Sequence, residues 1–323
     1  MVSSVACLFE MDFATITSGY QGLREQAAWL DLSARGRIRA TGEDRARLLH
    51  AMTTNQVQTL QPGVGCYAFF LNALGRILAD ANLLCFEDSI LIETEPETRH
   101  KVFEHLDRYI IADDVALQDE SDVSAALGIE GPEAAEVLHR LGAPVPQAQW
   151  SHALWGGRAV ARMDTTGAGG FRVMLPAEEK TKLIDQFAGI GLPQATADEA
   201  GIVRLEHGRP RYGEEITERH LVQETGQLHA VSFTKGCYLG QEIVERVRSR
   251  AQIHRMLRKV EIDTATPPAP QTKLKSGKAE AAEIASAVYS PALGRTVALA
   301  YVRTQFAEPG TVLDLDGIAA RVV

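Results

Sequence analysis

Residues Lys235-Gly236-Cys237-Tyr238-Leu239-Gly240-Gln241-Glu242 place one cysteine close to a lysine and two glycines. A cation near a thiol favours the thiolate, so Lys235 is expected to lower the pKa of Cys237 and make it reactive. The glycines permit backbone angles closed to other residues, which predicts a tight loop. Helix-favouring residues from Gln241 onward predict that the loop leads into a helix, whose N-terminus also favours a thiolate. A half-buried structural cysteine is an equally open interpretation, because free cysteine is often a small buried hydrophobe.

The composition is that of an acidic globular protein. The chain has 323 residues, 45% of them hydrophobic and 23% charged, with a net charge of −9. This length predicts about two domains, and the negative charge argues against nucleic-acid binding over the whole surface. No apolar run approaches the length of a membrane span. The N-terminal residues lack the basic segment of a signal peptide, so a cytoplasmic location is expected.

The cysteines form neither a disulfide framework nor a zinc-finger pattern. They are Cys7, Cys66, Cys85 and Cys237, and no two of them make a CxxC pair. An iron–sulfur cluster held by this chain alone would need all four thiols to converge. A cluster shared with a partner would need only Cys237, so its role as a ligand or as a thiol stays open. No resident metal is expected.

Helical and strand periodicities alternate irregularly, which predicts an α+β fold rather than a doubly wound sheet. Amphipathic helices are predicted after Asp44, after Pro96, between Pro132 and Gly142, and after Pro176. Strands are predicted at 66–70, 81–86, 89–93, 158–162 and 171–175. After about residue 250, short apolar runs at 256–262, 284–288, 297–302 and 311–315 alternate with Pro- and Gly-containing turns. These runs predict a small β-barrel or sandwich.

The segment 235–242 resembles the signature of the YgfZ family, which comprises folate-binding relatives of the glycine-cleavage aminomethyltransferase (T-protein). This family is associated with iron–sulfur enzyme maintenance and tRNA modification. Residues 284–302 are similar to the C-terminal barrel of the T-protein, and the resemblance extends over residues 20–320. It implies a folate-binding α+β region of antiparallel sheets and flanking helices over 1–250, built as two intertwined lobes. A small C-terminal β-barrel over 251–323 is expected to follow.

A first block with this resemblance runs from Asp31-Leu32-Ser33 through Gly36-Arg37-Ile38 to a segment that begins at Leu71-Asn72 and ends at Ala79-Asp80. The matching T-protein segment ends in two adjacent aspartates near the folate, and Ala79 replaces one of them here. The resemblance implies that Asn72 and Asp80 bind tetrahydrofolate. The Asp80 carboxylate would orient the ring and shuttle a proton at its reactive nitrogens. A purely structural role for Asp80 at a turn or strand end is the alternative.

A second block, from Arg204-Leu205-Glu206 to Tyr212-Gly213, resembles the Arg-Leu-Glu-x-Gly…Tyr-Gly segment of the superfamily. It implies that Arg204, Glu206 and Tyr212 contribute to folate binding. The guanidinium of Arg204 would hold a carboxylate or a pterin carbonyl, and Tyr212 would stack or form a hydrogen bond. An ion pair between Arg204 and Glu206 is the structural alternative.

One departure from the T-protein pattern bears on catalysis. The Tyr-Thr-Gly-Glu-x-Gly motif, whose glutamate holds the pterin in the T-protein, corresponds to residues 165–170, and Ala168 replaces the glutamate. The resemblance therefore favours a folate-binding accessory protein for the assembly or repair of iron–sulfur enzymes, including tRNA-modifying ones. Cys237 would be its working thiol or ligand, with Lys235 and Asp80 as the other catalytic candidates. An active tetrahydrofolate-dependent aminomethyltransferase is the alternative.

A basic run follows the cysteine segment. Between Arg246 and Lys259 there are six positive charges and no acid. Such a run attracts a folate polyglutamate tail, a phosphate backbone or an acidic partner protein. It contains no aromatic residue, which disfavours a stacking platform for single strands. A solvated surface is the other interpretation, so direct nucleic-acid binding stays open.

Overall fold

The computed structural model describes residues 17–250 and 253–323, without the side chain of Arg250. Cys7 lies outside these ranges. The helices are α1 (Ser18–Glu25), α2 (Arg45–Met52), α3 (Arg99–Asp107), α4 (Ala134–Arg140), α5 (Lys180–Gly189), α6 (Ala197–Glu206) and α7 (Gln241–Arg250). None of these described helices is both long and apolar enough to cross a lipid bilayer.

The strands are short and mostly joined by tight turns. They are β1 (Ala28–Asp31), β2 (Gly36–Thr41), β3 (Val64–Leu71), β4 (Ile77–Cys85), β5 (Ser89–Thr94), β6 (Ala116–Asp119), β7 (Ser124–Glu130), β8 (His152–Trp155), β9 (Arg158–Ala161), β10 (Gly170–Pro176), β11 (Arg255–Ile262), β12 (Lys273–Ser276), β13 (Ala279–Ser290), β14 (Arg295–Arg303), β15 (Val312–Leu315) and β16 (Ile318–Val322).

Two antiparallel sheets form the region before the barrel. The first sheet has the strand order β1-β7-β10-β9-β8, and the second has the order β3-β4-β5-β2-β6. The chain therefore leaves the first sheet after β1 and returns to it at β7. Helices α4 and α5 bury their apolar faces on the first sheet, and α2 and α3 do so on the second. Antiparallel sheets with flanking helices confirm the predicted fold class.

The strand period of two gives the second sheet two different faces. Phe70 and Ala79 are opposite each other and pack toward the helices, whereas Phe69 and Asp80 are opposite each other on the other face. Farther along that inner face, Leu84 and Leu91 contact the first sheet. The inner face thus carries both the apolar contact between the sheets and the polar residues of the site described below.

The C-terminal segment forms the predicted barrel. Its strands close in the order β11-β14-β13-β12-β15-β16 around a core of small and branched apolar side chains. Ala298 and Ala300 face this core, whereas Leu299 and Tyr301 between and after them pack against Leu205 of α6. Small side chains inside the barrel let six short strands close around the core. The barrel contacts the rest of the chain mainly through β13, β14 and α6. This contact places one barrel strand beside the site.

Candidate functional site

A large cavity of about 930 Å³ opens between α6, the strand–loop segments of the sheets and the barrel strand β13. A smaller polar pocket of about 40 Å³ shares several lining residues with it, so the two spaces adjoin. The shared residues are Arg35, Glu95, Thr165, Arg204 and Arg211. Mostly apolar side chains line the large cavity, whereas charged side chains dominate the small pocket. The arrangement suits a ligand with a polar head and a less polar body.

Asp80 lies in the small pocket on the inner face of β4. Its side chain is only 6% exposed, and the hydroxyl of Tyr67 donates a 2.7 Å hydrogen bond to its Oδ2. Oδ1 is buried without a hydrogen-bond partner among the described residues. Burial, followed by the negative charge of Glu95, raises the pKa of Asp80 to about 6. This carboxyl group can therefore accept or release a proton close to neutral pH.

A buried network of charges supports the pocket. Glu93 of β5 accepts hydrogen bonds from Arg172 of β10 and forms an ion pair with Arg35 at 3.3 Å. Arg35 also pairs with Glu95, and Glu95 accepts a 2.9 Å hydrogen bond from Arg211. The network joins both sheets and the segment after α6. It fixes the walls of the pocket, because each charge is held by at least one opposite charge.

Two aromatic rings stack beside Tyr67, which lines the same pocket. The rings of Tyr67, Trp150 and His229 lie nearly parallel, with centroids 5.5 to 6.4 Å apart. The indole nitrogen of Trp150 donates a 2.9 Å hydrogen bond to Asn82, which in turn donates to Glu93. The stack holds the Tyr67 ring in place beside Asp80, where a planar ligand ring can contact it.

Arg204 is the second predicted site residue that lines these cavities. Its guanidinium donates to Glu215 at 2.8 Å and also pairs with Glu214. A further bond of 2.8 Å to the carbonyl of Arg209 completes its contacts. These partners occupy most of its hydrogen-bond donors, so Arg204 supports the cavity wall. It does not form the ion pair with Glu206 that was the structural alternative. That alternative is wrong because Glu206 has other partners.

Glu206 lies outside the lining of both cavities. Its carboxylate accepts hydrogen bonds from Tyr20 and Arg24 of α1, each at 2.6 Å, and from Ser290 of the barrel. The side chain is buried and connects α1, α6 and β13. Glu206 therefore links the barrel to the rest of the chain. It does not line the cavities, where the sequence had led us to expect a contact with the cofactor.

Asn72 and Tyr212 also lie outside the cavity lining. Oδ1 of Asn72 accepts hydrogen bonds from the backbone of Leu74 and Arg76, at 2.9 and 3.0 Å, and so fixes the turn between β3 and β4. Tyr212 is buried in an apolar cluster with Phe69. Because neither residue lines a cavity, neither is placed to contact a ligand bound there.

The ammonium group of Lys235 lies over the ring of Tyr238, 4.8 Å from its centroid, and is held by backbone carbonyls. It donates to the carbonyls of His50, Thr53 and Asn55 at the end of α2, with distances of 2.6 and 2.9 Å to the last two. Burial lowers the pKa of Lys235 to about 7. The prediction that Lys235 activates Cys237 is therefore not supported by its contacts, since the carbonyl groups of His50, Thr53 and Asn55 take all three donors.

The cysteine loop is anchored on both sides of Cys237. Tyr238 is buried, and the backbone N–H of Leu239 donates a 3.0 Å hydrogen bond to Ala51 of α2. Gly240 has φ = +85°, and α7 starts at the next residue, as the sequence predicted. Cys237 itself is exposed and lines neither cavity. The loop thus presents one thiol on a fixed backbone.

The other described cysteines lie away from the surface. Cys66 and Cys85 are buried in the core of the second sheet, on β3 and β4. Burial raises the pKa of Cys66 to about 12. Within the described part of the chain, no group of three or more His, Cys, Asp or Glu side chains is arranged to hold a metal ion.

The basic run divides between α7 and β11. Arg255 pairs with Glu224 at 3.0 Å, Arg258 donates to the carbonyl of Ala307, and Lys259 donates to the carbonyl of Glu206. On α7, Arg246 is exposed. None of these basic residues lines either cavity, so the run does not form one continuous binding surface at the site.

Some residues of the site carry no sequence motif. Tyr67, Glu95 and Arg209 line the small pocket, and no motif in the sequence assigned them a role. The feature of the sequence that could have indicated this pocket is a polar residue at every second position of an otherwise apolar strand, as at Asp80 and Asn82 of β4. Ala168, which replaces the T-protein glutamate, is half-buried and packs against an apolar cluster that contains Leu30.

The comparisons with known proteins agree with this architecture. The family model of the GCVT N-terminal domain matches residues 7–235, and that of the glycine cleavage T-protein C-terminal barrel domain matches residues 255–323. Aminomethyltransferases of Deinococcus deserti and Rubrobacter xylanophilus are each 28% identical to the chain. These alignments cover 92% and 90% of this chain and 83% and 80% of the relatives.

A solved structure shows the same fold. The glycine cleavage system aminomethyltransferase T from Bartonella henselae superposes with a TM-score of 0.85 at 21% sequence identity. The superposition covers 94% of this chain and 87% of that chain. With both family models matched in order along the chain, this protein belongs to the glycine cleavage T-protein family, as a GCVT N-terminal domain followed by the family's C-terminal barrel domain.

Proposed function

We propose that this protein binds tetrahydrofolate, or a derivative of it, in the adjoining cavities and acts as an accessory protein for iron–sulfur enzymes. The observation that carries the folate site is the buried Oδ1 of Asp80, which has no partner among the described residues. A buried carboxylate oxygen without a partner costs free energy unless a ligand or water donates to it. The reactive nitrogens of tetrahydrofolate offer such donors.

The chemistry of the lining fits the parts of a folate. The ring of Tyr67, which lines the small pocket and is stacked by Trp150 and His229, offers aromatic surface for a fused ring. The apolar part of the large cavity, which includes Leu30 and Val288, suits the less polar body of the molecule. The relatives named aminomethyltransferase belong to the same family. These features support tetrahydrofolate as the cofactor.

The accessory role rests on the exposed thiol. Cys237 lies on a fixed loop outside the cavities, where a partner protein can reach it. Asn55 connects this loop with the folate site, because its carbonyl accepts from Lys235 and its side-chain amide donates to the carbonyl of Tyr67 at 2.8 Å. We propose that Cys237 is the working thiol or ligand toward iron–sulfur enzymes or their assembly proteins, tRNA-modifying enzymes among them.

Folate binding is tested by titration calorimetry with tetrahydrofolate under reducing conditions. Asp80→Asn is expected to weaken binding about tenfold, since it removes a charge-assisted hydrogen bond. Glu206→Gln is the matched control, because this buried carboxylate lines neither cavity. Equal affinities of the wild type and Asp80→Asn would contradict the proposed site. Loss of affinity with Glu206→Gln alone would contradict it as well.

The accessory role is tested in bacterial cells that lack their own YgfZ homologue. An iron–sulfur enzyme is assayed after expression of the wild type, Cys237→Ala or Cys85→Ala at equal levels. Rescue by the wild type and by Cys85→Ala, but not by Cys237→Ala, is the expected result. Cys85 is the control because its thiol is buried. Equal rescue by all three would remove Cys237 from the mechanism.

A tetrahydrofolate-dependent aminomethyltransferase is the second candidate. The observation in its favour is the pKa of Asp80, which burial and Glu95 raise to about 6, a value suited to proton transfer near neutral pH. One-carbon transfer to tetrahydrofolate that Asp80→Ala abolishes and Cys237→Ala leaves unchanged would favour this candidate. Absence of transfer together with folate binding would favour the accessory role.

A further inference from the structure

One arginine of the small pocket differs from the others in its partners. The lining contains five arginines: Arg35, Arg172, Arg204, Arg209 and Arg211. Four of them form ion pairs with glutamates. Among the described residues Arg209 forms no ion pair, and its guanidinium makes one long hydrogen bond of 3.4 Å to the carbonyl of Asp164. A half-buried cation with so few contacts has donors left for a ligand.

The backbone of Arg209 is fixed in place. Its N–H donates to the carbonyl of Arg204 at 2.9 Å, and its own carbonyl accepts from the Arg204 side chain at 2.8 Å. Gly208 before it has φ = +66°, and Pro210 follows. The Cβ of Arg209 lies against Gly167, since a Cβ built on Gly167 would be 3.6 Å from it. The side chain therefore leaves a fixed backbone at the pocket lining.

The guanidinium lies near the residues that surround Asp80. Burial and, after it, the positive charge of Arg209 lower the pKa of His229. Asp80 is more than nine-tenths buried and lines the same pocket, with Oδ1 unpartnered. No ion pair joins Asp80 and Arg209 among the described contacts, although they have opposite charges. Tyr67 holds Asp80 on one side, and the fixed backbone holds Arg209 on the other.

We propose that Arg209 and Asp80 together select folates whose one-carbon unit carries a carbonyl oxygen, that is, formyl-type rather than methyl-type folates. This inference rests on the proposed folate function. Asp80 accepts from N10–H of the folate, which the 5-formyl and 5-methyl compounds both keep, and Arg209 donates to the oxygen of the formyl group carried by N5. A methyl group offers no acceptor, so it leaves the donors of Arg209 unpaired and desolvated.

The test compares the dissociation constants of 5-formyltetrahydrofolate and 5-methyltetrahydrofolate. The wild type is expected to bind the formyl compound about tenfold more tightly, as a charge-assisted hydrogen bond predicts. Arg209→Met keeps the length of the stem but removes the charge, and it should reduce the preference to within about twofold. Arg209→Lys keeps the charge without the planar fork and should retain part of the preference. Arg246→Met, on the exposed face of α7, is the control and should change neither constant.

The outcomes separate this inference from the proposed function. A formyl preference that survives in Arg209→Met overturns the role of Arg209. Equal weakening of both ligands in Arg209→Met also overturns it, because Arg209 would then contact a ring oxygen common to both. A wild type that binds folates without preference overturns it while the proposed function stands. A wild type that binds neither compound overturns the folate function itself.

Discussion

The hydroxyl of Tyr67 holds Oδ2 of Asp80 at 2.7 Å, and Oδ1 of the same carboxylate is buried without a partner in the described part of the chain. The two residues lie on one face of neighbouring strands, and Asp80 is opposite Phe69 in the ladder. One oxygen is thus fixed for orientation, and the other is buried without a hydrogen-bond partner among the described residues. This arrangement lowers the free energy of unfolding, because a buried carboxylate oxygen is left without a hydrogen-bond donor.

Asp80→Asn should stabilise the ligand-free protein at neutral pH by about 2 kcal/mol. The folded state raises the pKa of Asp80 to about 6 from 3.8, chiefly by burial. A raised pKa means that the contribution to stability is complete below the unfolded pKa and is lost as pH rises through the folded pKa. Urea unfolding at about pH 8 should therefore show the gain, and it should shrink toward about pH 4. A gain that grows as pH falls would contradict the sign.

Glu93→Gln should have the opposite effect, a loss of about 3 to 5 kcal/mol at neutral pH. Burial opposes ionisation of Glu93, but the charges of Arg172 and Arg35 outweigh it and lower its pKa to about 2. Its stabilising contribution is therefore present above the unfolded pKa of 4.5 and is lost as pH falls through about 2.

The same unfolding experiment checks this prediction against a surface pair. Glu120→Gln removes a partly exposed ion pair with Arg39 and should cost less than about 1 kcal/mol. Similar losses for Glu93→Gln and Glu120→Gln would show that the buried network contributes no more than an exposed one.

Gly240→Ala should destabilise the protein by about 2 kcal/mol or more and disturb the cysteine loop. Its φ is +85°, and a Cβ there would lie 2.6 Å from the carbonyl oxygen of Asn72. Gly226→Ala is the matched control, since Gly226 has φ = +73° with no atom within 4 Å of a built Cβ. It should cost about 1 kcal/mol from backbone strain alone. Thermal unfolding of both variants checks the difference, and equal losses would refute the proposed clash.

Lys235→Met should lower the free energy of unfolding much more than Cys237→Ala does, although the two residues lie in the same loop. Lys235→Met leaves the carbonyls of Thr53 and Asn55, just after α2, without this donor and should cost about 2 to 3 kcal/mol. Cys237→Ala changes an exposed side chain and should stay within about 0.5 kcal/mol. Denaturant unfolding of the two variants measures both effects. A large loss with Cys237→Ala would assign this cysteine a structural role instead.

A folate with a longer polyglutamate tail should not bind more tightly than one with a single glutamate. The charged residues that line the large cavity are Asp31, Arg35, Glu95, Asp198, Arg204, Arg211 and Glu214. The arginines in this set are all held by glutamates, and the acids outnumber them. Added negative charges on a ligand therefore meet no spare cation in this lining. Calorimetry with mono- and pentaglutamate forms should give dissociation constants within about twofold, and a tenfold preference for the longer tail would contradict this expectation.

The sequence by itself determined the elements whose signal is local. The runs at 256–262, 284–288, 297–302 and 311–315 correspond to β11, β13, β14 and β15, because alternating apolar side chains predict a half-buried strand. The short strands β12 and β16 were not predicted, because charged residues interrupt their apolar pattern. The helix after Gly240 followed from helix-favouring residues behind a glycine turn. All these signals lie within a few residues of the element concerned.

The partners of the charged side chains were decided only by the tertiary structure. Glu206 pairs with Arg24, 182 positions away, instead of with Arg204 nearby. Lys235 reaches the end of α2, instead of acting on the cysteine two residues later. Asp80 keeps a free oxygen because Tyr67 of the neighbouring strand takes the other. Spacing along the chain cannot fix such contacts, since ion pairs and hydrogen bonds depend on which faces the packed sheets, helices and barrel bring together.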